Sequence, residues 1–385
     1  MTIYVNAYSA MNALGRDPAK MRKSLGNWRN TPLRQADGMV EGGGRSCFGF
    51  IDGDFSLPED PRFASRLCAL LKACLESLPD EGKDLVSSCD PSRLAVVMAT
   101  STSGSLETQR AHKLYLKHER DPRLTYFMHE FGSPSMYVAA ATGAKGTCCT
   151  ISTACSSSAL AVSQAARLIR TGMADVVIAG GADTLCALPI NGFASMGVLS
   201  DTPCAPFCEH RHGISIGEAA GIMILSKKPS ALFVAGCGES SDAYHVSSPD
   251  PSGAGAAASM RAALKAAGLK PSDIGYLNLH GTGTRLNDSM EAKAVSEVFG
   301  LVPCSSTKYL TGHTLAAAGI TEAVICCEIL KGAMMPPQDF TRDCADPKLP
   351  EIGLLCEERP LQGRFAMSNS FAFGGSNASL IFGRA

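Results

Sequence analysis

The sequence predicts an α/β protein built from two similar halves with mixed sheets, and three observations carry that prediction. Two apolar stretches, SRLAVVMATSTSGS at 92–105 and DIGYLNLHGTGTRL at 273–286, each run from a β-like segment into a loop of small residues. Each is followed by a strand, a turn and a helix that closes on a glycine. CCTISTACSSSALAVSQAARLIRTG ends this way at Gly172, and SSTKYLTGHTLAAAGITEAVICCEILKG at Gly332. Each half then returns through an apolar strand with a glycine pair, DVVIAGGADT at 175–184 and RFAMSNSFAFGGSNASLIF at 364–382. Strands alternating with helices argue βα units. The matched order and spacing argue duplication, beyond a grammar shared by all α/β chains.

The boundary between halves is expected near KKPSA, giving a unit over 1–228 and a second over 229–385. Two long polar segments, 26–62 and 107–135, read as excursions from the first half. With 385 residues, 45% of them hydrophobic and 18% charged, a sizeable core is available. Net charge is −1 and no Lys/Arg run exceeds two residues, which excludes a nucleic-acid footprint. The start, MTIYVNAYSAMNALGRD, lacks a signal peptide's basic and apolar regions. No apolar run approaches the ~18 residues of a membrane span. The 16 cysteines include two vicinal pairs and no CxxC, and many lie in apolar runs such as RLCALLKACLESL. There cysteine behaves as a small hydrophobe, as in a reduced cytoplasmic protein.

Four loops hold the candidate chemistry. Cys155, in TISTACSSSALAV, stands at a strand-to-helix turn, where free N–H groups and the helix dipole favour a thiolate. Alone, such a turn is as readily structural. His280 leaves a buried strand into HGTGTRLND, at the strand end where open α/β sheets place ligands. Thr282 and Thr284 alternate along an extended path suited to a polar, chain-like substrate arm. The loop lacks the spacing of a phosphate-binding GxGxxG. His313, in TKYLTGHTLAAAGITEAV, is expected at a helix start and therefore neutral, a hydrogen-bond donor to a developing oxyanion. Lys308 and Glu322 flank it too far apart for one helix face, so any pairing must fold the loop back over the helix. Phe373-Gly374-Gly375 makes a turn able to bring a backbone N–H beside a carbonyl oxygen. One cysteine, two histidines and a glycine turn at matched loop positions together describe acyl-thioester chemistry.

These motifs resemble those of elongating β-ketoacyl-acyl-carrier-protein synthases, in the thiolase superfamily. TACSSS resembles the family's nucleophile turn, HGTGT with Asp288 and Glu291 its first histidine motif, and KYLTGHTLAAAG its second. NSFAFGGSN resembles its C-terminal signature. The resemblance implies a thiolase-like fold in a layered α-β-α-β-α arrangement. Cys155 is then the acylated nucleophile and His280 and His313 the enolate donors, with Lys308 and Glu322 in support. Phe373 is a gate whose N–H joins that of Cys155 in an oxyanion hole. Thr282, Thr284, Ser103 and Gly374 are implied in substrate binding, Ser103 as a small residue that widens the acyl pocket. No cofactor is implied, because phosphopantetheine is carried by the acyl carrier protein. Implied partners are acyl- and malonyl-loaded carrier and, in a homodimer or heterodimer, a second or ketosynthase-like chain.

The chain departs from the family's pattern in CAPFCEHRHG, where Ala205, Cys208 and His212 replace charged residues. That points to a secondary-metabolite enzyme similar to aryl-polyene ketosynthases. Cys204, Cys208, His210 and His212 offer four soft ligands, but their spacing matches no common zinc motif and the expectation is no metal. Arg62 and Arg66 are the expected basic contacts for an acidic carrier. The rival to a condensing enzyme is a scaffold or chain-length subunit, against which the complete Cys-His-His set argues.

Overall fold

Strand pairing explains why the two halves read alike. The computed structural model describes residues 1–385. Its first half contains β1 (Ile3–Met11), α1 (Arg66–Glu76), β2 (Leu94–Ala99), α2 (Ser133–Thr142), β3 (Cys148–Ile151), α3 (Ser157–Arg170), β4 (Val176–Asp183) and β5 (Ala219–Ser226). The second contains β6 (Leu232–Ser241), α4 (Ala254–Ala267), β7 (Ile274–Asn278), α5 (Arg285–Phe299), β8 (Cys304–Ser305), α6 (Ala318–Leu330), β9 (Phe365–Phe371) and β10 (Ser376–Arg384).

The strand orders are β1-β5-β4-β2-β3 and β6-β10-β9-β7-β8. In each half the first two pairings are antiparallel and the next two parallel. Equal order and equal sense in five strands make the duplication structural.

Where the sequence suggested separate sheets, β1 and β6 pair antiparallel from Ile3↔Val234 to Val5↔Leu232, joining both halves into one ten-stranded sheet. Each would otherwise be an edge with unpaired N–H and C=O groups. The pairing of β1 with β6 is not legible in the sequence, because register between distant edges leaves no local signal.

Alternation along β2 shows the layering. Ala95, Val97 and Ala99 face the central core with α3 and α6, whereas Leu94, Val96 and Met98 face an outer core with α1. A matching outer core lies under α4 and α5 in the second half. Helices α3 and α6 therefore lie between the two half-sheets, giving the α-β-α-β-α order. Helix α6 is buried at all of its positions, which explains an apolar run with no polar face. Its two carboxylates are answered, Glu328 by Tyr8 and Arg22, and Glu322 by Lys308. Gly319 lets the central helices close: a Cβ there would meet the Ala159 backbone nitrogen at 2.5 Å.

The 26–62 excursion supplies two strands, Arg34–Ala36 and Ser46–Gly49, of a three-stranded sheet that Ile216–Gly217 completes. The last strand holds His313: the His313 N–H donates to the Ser215 carbonyl (2.6 Å), and the Gly217 N–H to the His313 carbonyl (2.9 Å). The 107–135 excursion carries helices Ser105–Tyr115 and Tyr126–His129.

Candidate active site

Cys155 stands two residues before α3, with Ala154 at φ +52° forcing the sharp turn that presents the thiol. The thiol is buried, and its sulfur lies 3.0 Å from Nε2 of His313. Burial pushes the thiol up to about 11, opposed by the Lys308 charge and the Phe373 N–H directed at the sulfur. The helix terminus that the sequence credited with favouring the thiolate is thus outweighed by desolvation in the resting site.

Both histidines are held neutral. Burial is the main cause, Lys308 adds to it, and at His280 the neighbouring His313 adds further. Neutrality was expected of His313 from its place at a helix start. Instead, His313 precedes α6 by an extra turn, Leu315–Ala317, and desolvation does the work.

Their tautomers follow from the second nitrogen. The Leu315 N–H donates to Nδ1 of His313 (3.3 Å), and the Lys308 ammonium lies 3.4 Å from Nδ1 of His280. Each Nδ1 is therefore an acceptor, and each Nε2 carries the proton. The rings cross edge-to-face with centroids 5.3 Å apart. Two neutral N–H donors and a thiol thus converge on one space.

Lys308, in the short helix Lys308–Thr311, is fully buried beside its partners. It donates to the His280 carbonyl at 2.6 Å and pairs with Glu322. The loop before α6 does fold back over it, as the spacing required. Burial raises the Glu322 carboxyl to about 7. Glu291 accepts the N–H groups of His280 (2.8 Å) and Gly281 (2.7 Å), while Asp288 accepts those of Thr282 (3.1 Å) and Phe207 (2.8 Å). These two carboxylates, three apart on α5, shape the whole HGTGT loop.

A cavity of about 360 Å³ opens onto this cluster, lined by Cys155, His280, His313, Thr282, Thr284 and Phe373 among others. Thr282 and Thr284 lie with hydroxyls 3.0 Å apart, and Thr284 also caps α5. Phe373, 37% exposed, packs against Phe193 at a tilt of 52° with centroids 5.6 Å apart.

Three expectations need correction. Ser103 does not line this cavity: it is buried at φ +42° and its hydroxyl donates to the carbonyls of Met128 (3.1 Å) and Glu130 (2.7 Å). Gly374 is also outside the lining, its N–H donating to the Val246 carbonyl. Arg66 is no free cation, being paired at 2.6 Å with buried Glu218, and Arg62 pairs with Asp60 at 2.6 Å. Cys204 and Cys208 donate to separate carbonyls, of Lys308 and Asp339, and His210 pairs with Asp343, so the soft quartet does not converge.

The group whose ligand atoms do converge, within 4.8 Å, is Cys155, His280 and His313. A metal ion there would occupy the atoms that acyl chemistry needs. Sequence reasoning missed Asp183 and the exact task of Glu291; an acid closing AGGAD was the available signal for the first.

The arrangement suits thioester chemistry, and comparison with known proteins decides the family. The Beta-ketoacyl synthase, N-terminal domain, matches residues 51–231, and its C-terminal domain matches residues 232–339. The chain belongs to the β-ketoacyl synthase family. It is 34% identical over 312 residues to 3-oxoacyl-[acyl-carrier-protein] synthase 2 of Staphylococcus aureus, covering 75% of this chain and 77% of that one. It is 35% identical over 347 residues to the Vibrio cholerae enzyme of the same name, covering 82% and 81%. Among solved structures, it is similar to a ketosynthase (ApeO) in complex with its chain length factor (ApeC) from Xenorhabdus doucetiae. That match has TM-score 0.95 and 42% identity, covering 100% of this chain and 98% of the other. The protein is accordingly an elongating ketosynthase of the thiolase superfamily, an acyltransferase that condenses acyl and malonyl thioesters with loss of carbon dioxide.

Proposed function

We propose that this ketosynthase works through Cys155, His280 and His313, with the following division of roles. The Cys155 sulfur attacks the acyl-carrier thioester; an S–C bond forms, and the carrier thiol leaves with the proton that Cys155 gives up. Malonyl-carrier then enters, and the Nε2–H groups of His280 and His313 donate to its thioester oxygen. The bond to the carboxylate breaks, carbon dioxide leaves, and the electron pair becomes an enolate. Its carbon attacks the acyl-Cys155 carbonyl, whose oxygen receives the N–H groups of Phe373 and Cys155, and the Cys155 thiolate is expelled. Preorganised donors of this kind are worth roughly 10²–10³ in rate each.

The observation that carries this reading is the pairing of tautomers: both Nδ1 atoms accept, so both cavity-facing nitrogens donate. A neutral donor stabilises an enolate without protonating it, whereas an imidazolium would quench the condensation. Lys308, held by Glu322, positions His280, and its charge adds to burial in keeping both rings neutral. Thr282 lies along the approach for the pantetheine arm and Phe373 gates the acyl chain.

The test is acyl transfer. The chain incubated with an acyl-carrier thioester should gain the acyl mass on Cys155, and Cys155→Ala should gain none while remaining folded. No adduct, together with no malonyl decarboxylation, would overturn the reading.

The partner proposals follow from charge and resemblance. An acidic carrier protein suits the exposed Arg285 at the cavity mouth, with Lys293 and Lys348 lining the adjoining groove. A ketosynthase-like chain length factor is a fitting second subunit, given the complex in which the similar ketosynthase was solved. The departures from the family's pattern in CAPFCEHRHG favour polyene elongation over housekeeping fatty-acid synthesis. Sixteen free cysteines suit a reducing cytoplasm, and no helix is long and apolar enough to cross a membrane.

A further inference from the structure

Asp183 closes β4 with its carboxylate fully buried and no cation beside it. A lone buried carboxylate is expensive unless every lone pair is answered. Here one oxygen accepts four bonds at 2.8 Å: from the Thr100 hydroxyl, the N–H groups of Ser101 and Thr102, and the Thr102 hydroxyl. The other oxygen accepts one, from the Ala316 N–H at 2.7 Å. That single bond reaches across to the other half of the molecule, three residues after His313.

Of the two residues between, Thr314 and Leu315, the second stands at φ +53°. A leucine has no preference for this left-handed conformation, so something outside it must hold the turn. The turn matters because it aims the Leu315 N–H at Nδ1 of His313. Without that bond the imidazole loses the partner that keeps its proton on Nε2, 3.0 Å from the Cys155 sulfur.

We infer that Asp183 is a positioning residue: its bond to Ala316 holds the 314–316 turn that fixes the tautomer of His313. The Thr100–Thr102 donors anchor the carboxylate from the first half, so that one oxygen is free to point at the second. The inference rests on the proposed role of His313 as an enolate donor, but its signature can be read without turnover.

The experiment is ¹⁵N NMR of the histidine side chains, with Cys155 acylation and malonyl decarboxylation measured on the same samples. In the natural chain His313 should show a protonated Nε2 and an unprotonated Nδ1. In Asp183→Asn, the amide oxygen can take the place of only one carboxylate oxygen. With the amide nitrogen turned to Ala316, the turn is released and the two His313 resonances should move toward each other as tautomers mix. Decarboxylation should fall at least tenfold while Cys155 acylation stays within threefold. An unchanged tautomer, or acylation and decarboxylation falling together, would overturn the inference.

Thr100→Val provides an independent arm if Asp183→Asn does not fold. It removes one anchoring hydroxyl and leaves the Ala316 bond, so the His313 resonances should stay as in the natural chain. A shifted tautomer in Thr100→Val would place the control in the 100–103 loop and overturn the inference. Absence of acylation in the natural chain would instead count against the site reading itself.

Discussion

Replacing Lys308 by methionine separates the two tasks assigned to that residue, because methionine fills similar space without charge or donors. The ammonium contacts Glu322, the His280 carbonyl and Nδ1 of His280, all in a fully buried site. Removing it leaves Glu322 unpaired, and breaking a buried pair costs about 3–5 kcal/mol while the remaining group stays charged. Glu322 already titrates near 7, so losing its cation pushes it further up and into the neutral form, and stability recovers on the acid side. The chemical task has a separate magnitude. Without a donor at Nδ1, His280 can place its proton there and present a bare Nε2 to the enolate, losing one of two donors at roughly 10²–10³ in rate. The assay pairs thermal denaturation with mass analysis of the condensation product. Lys308→Met should condense about 10²–10³-fold more slowly while Cys155 is still acylated within tenfold. Adding Glu322→Gln should restore much of the stability and none of the condensation. Recovery of condensation in the double variant would refute the division, showing that Lys308 acts only by neutralising Glu322.

Other consequences follow from the same geometry. Glu291 and Glu322 are each raised from 4.5 to about 7, so the folded chain binds more protons than the unfolded one between these values. Stability should be fullest below pH ~4.5 from these groups and decline by roughly 3 kcal/mol each as pH rises to 7, and a melting series in Glu322→Gln should show a shallower decline. Arg66→Ala should lower the melting temperature by stranding buried Glu218, yet leave KM for the carrier within twofold; a large rise in KM would return Arg66 to the docking surface. Arg285→Ala should raise carrier KM about threefold or more, with the difference shrinking as salt is added. Phe373→Ala removes the ring packed against Phe193 and should shift the acyl-length profile of Cys155 acylation, which intact-mass competition between short and long acyl carriers would reveal.

Much of this organisation could be read from the chain, and what could not has physical reasons. Repeated motifs located Cys155, His280, His313 and the Phe373 turn because each belongs to a local strand-to-loop transition, written in consecutive residues. The Lys308–Glu322 pairing was legible as a constraint on the loop. The β1–β6 seam was not, since pairing between distant edges depends on register that no short segment encodes. Ser103 and Arg66 misled for different reasons: Ser103 was read by its size, which says nothing of the buried turn that holds it, and Arg66 by its charge, which says nothing of its partner Glu218. Asp183 stayed hidden because its five donors come from residues 100–102 in one half and from Ala316 in the other. A buried carboxylate's task is defined by what surrounds it.

The acyl group on Cys155 is proposed to be extended by an enolate generated beneath two neutral histidines. This extension is tested most directly by isolating acyl-Cys155 protein and chasing it with malonyl-carrier under mass detection. The adduct should disappear from Cys155 as carbon dioxide is released and a carrier-bound β-ketoacyl product two carbons longer appears. An adduct that persists while malonyl-carrier decarboxylates, or that is lost only as the free acid, would contradict it.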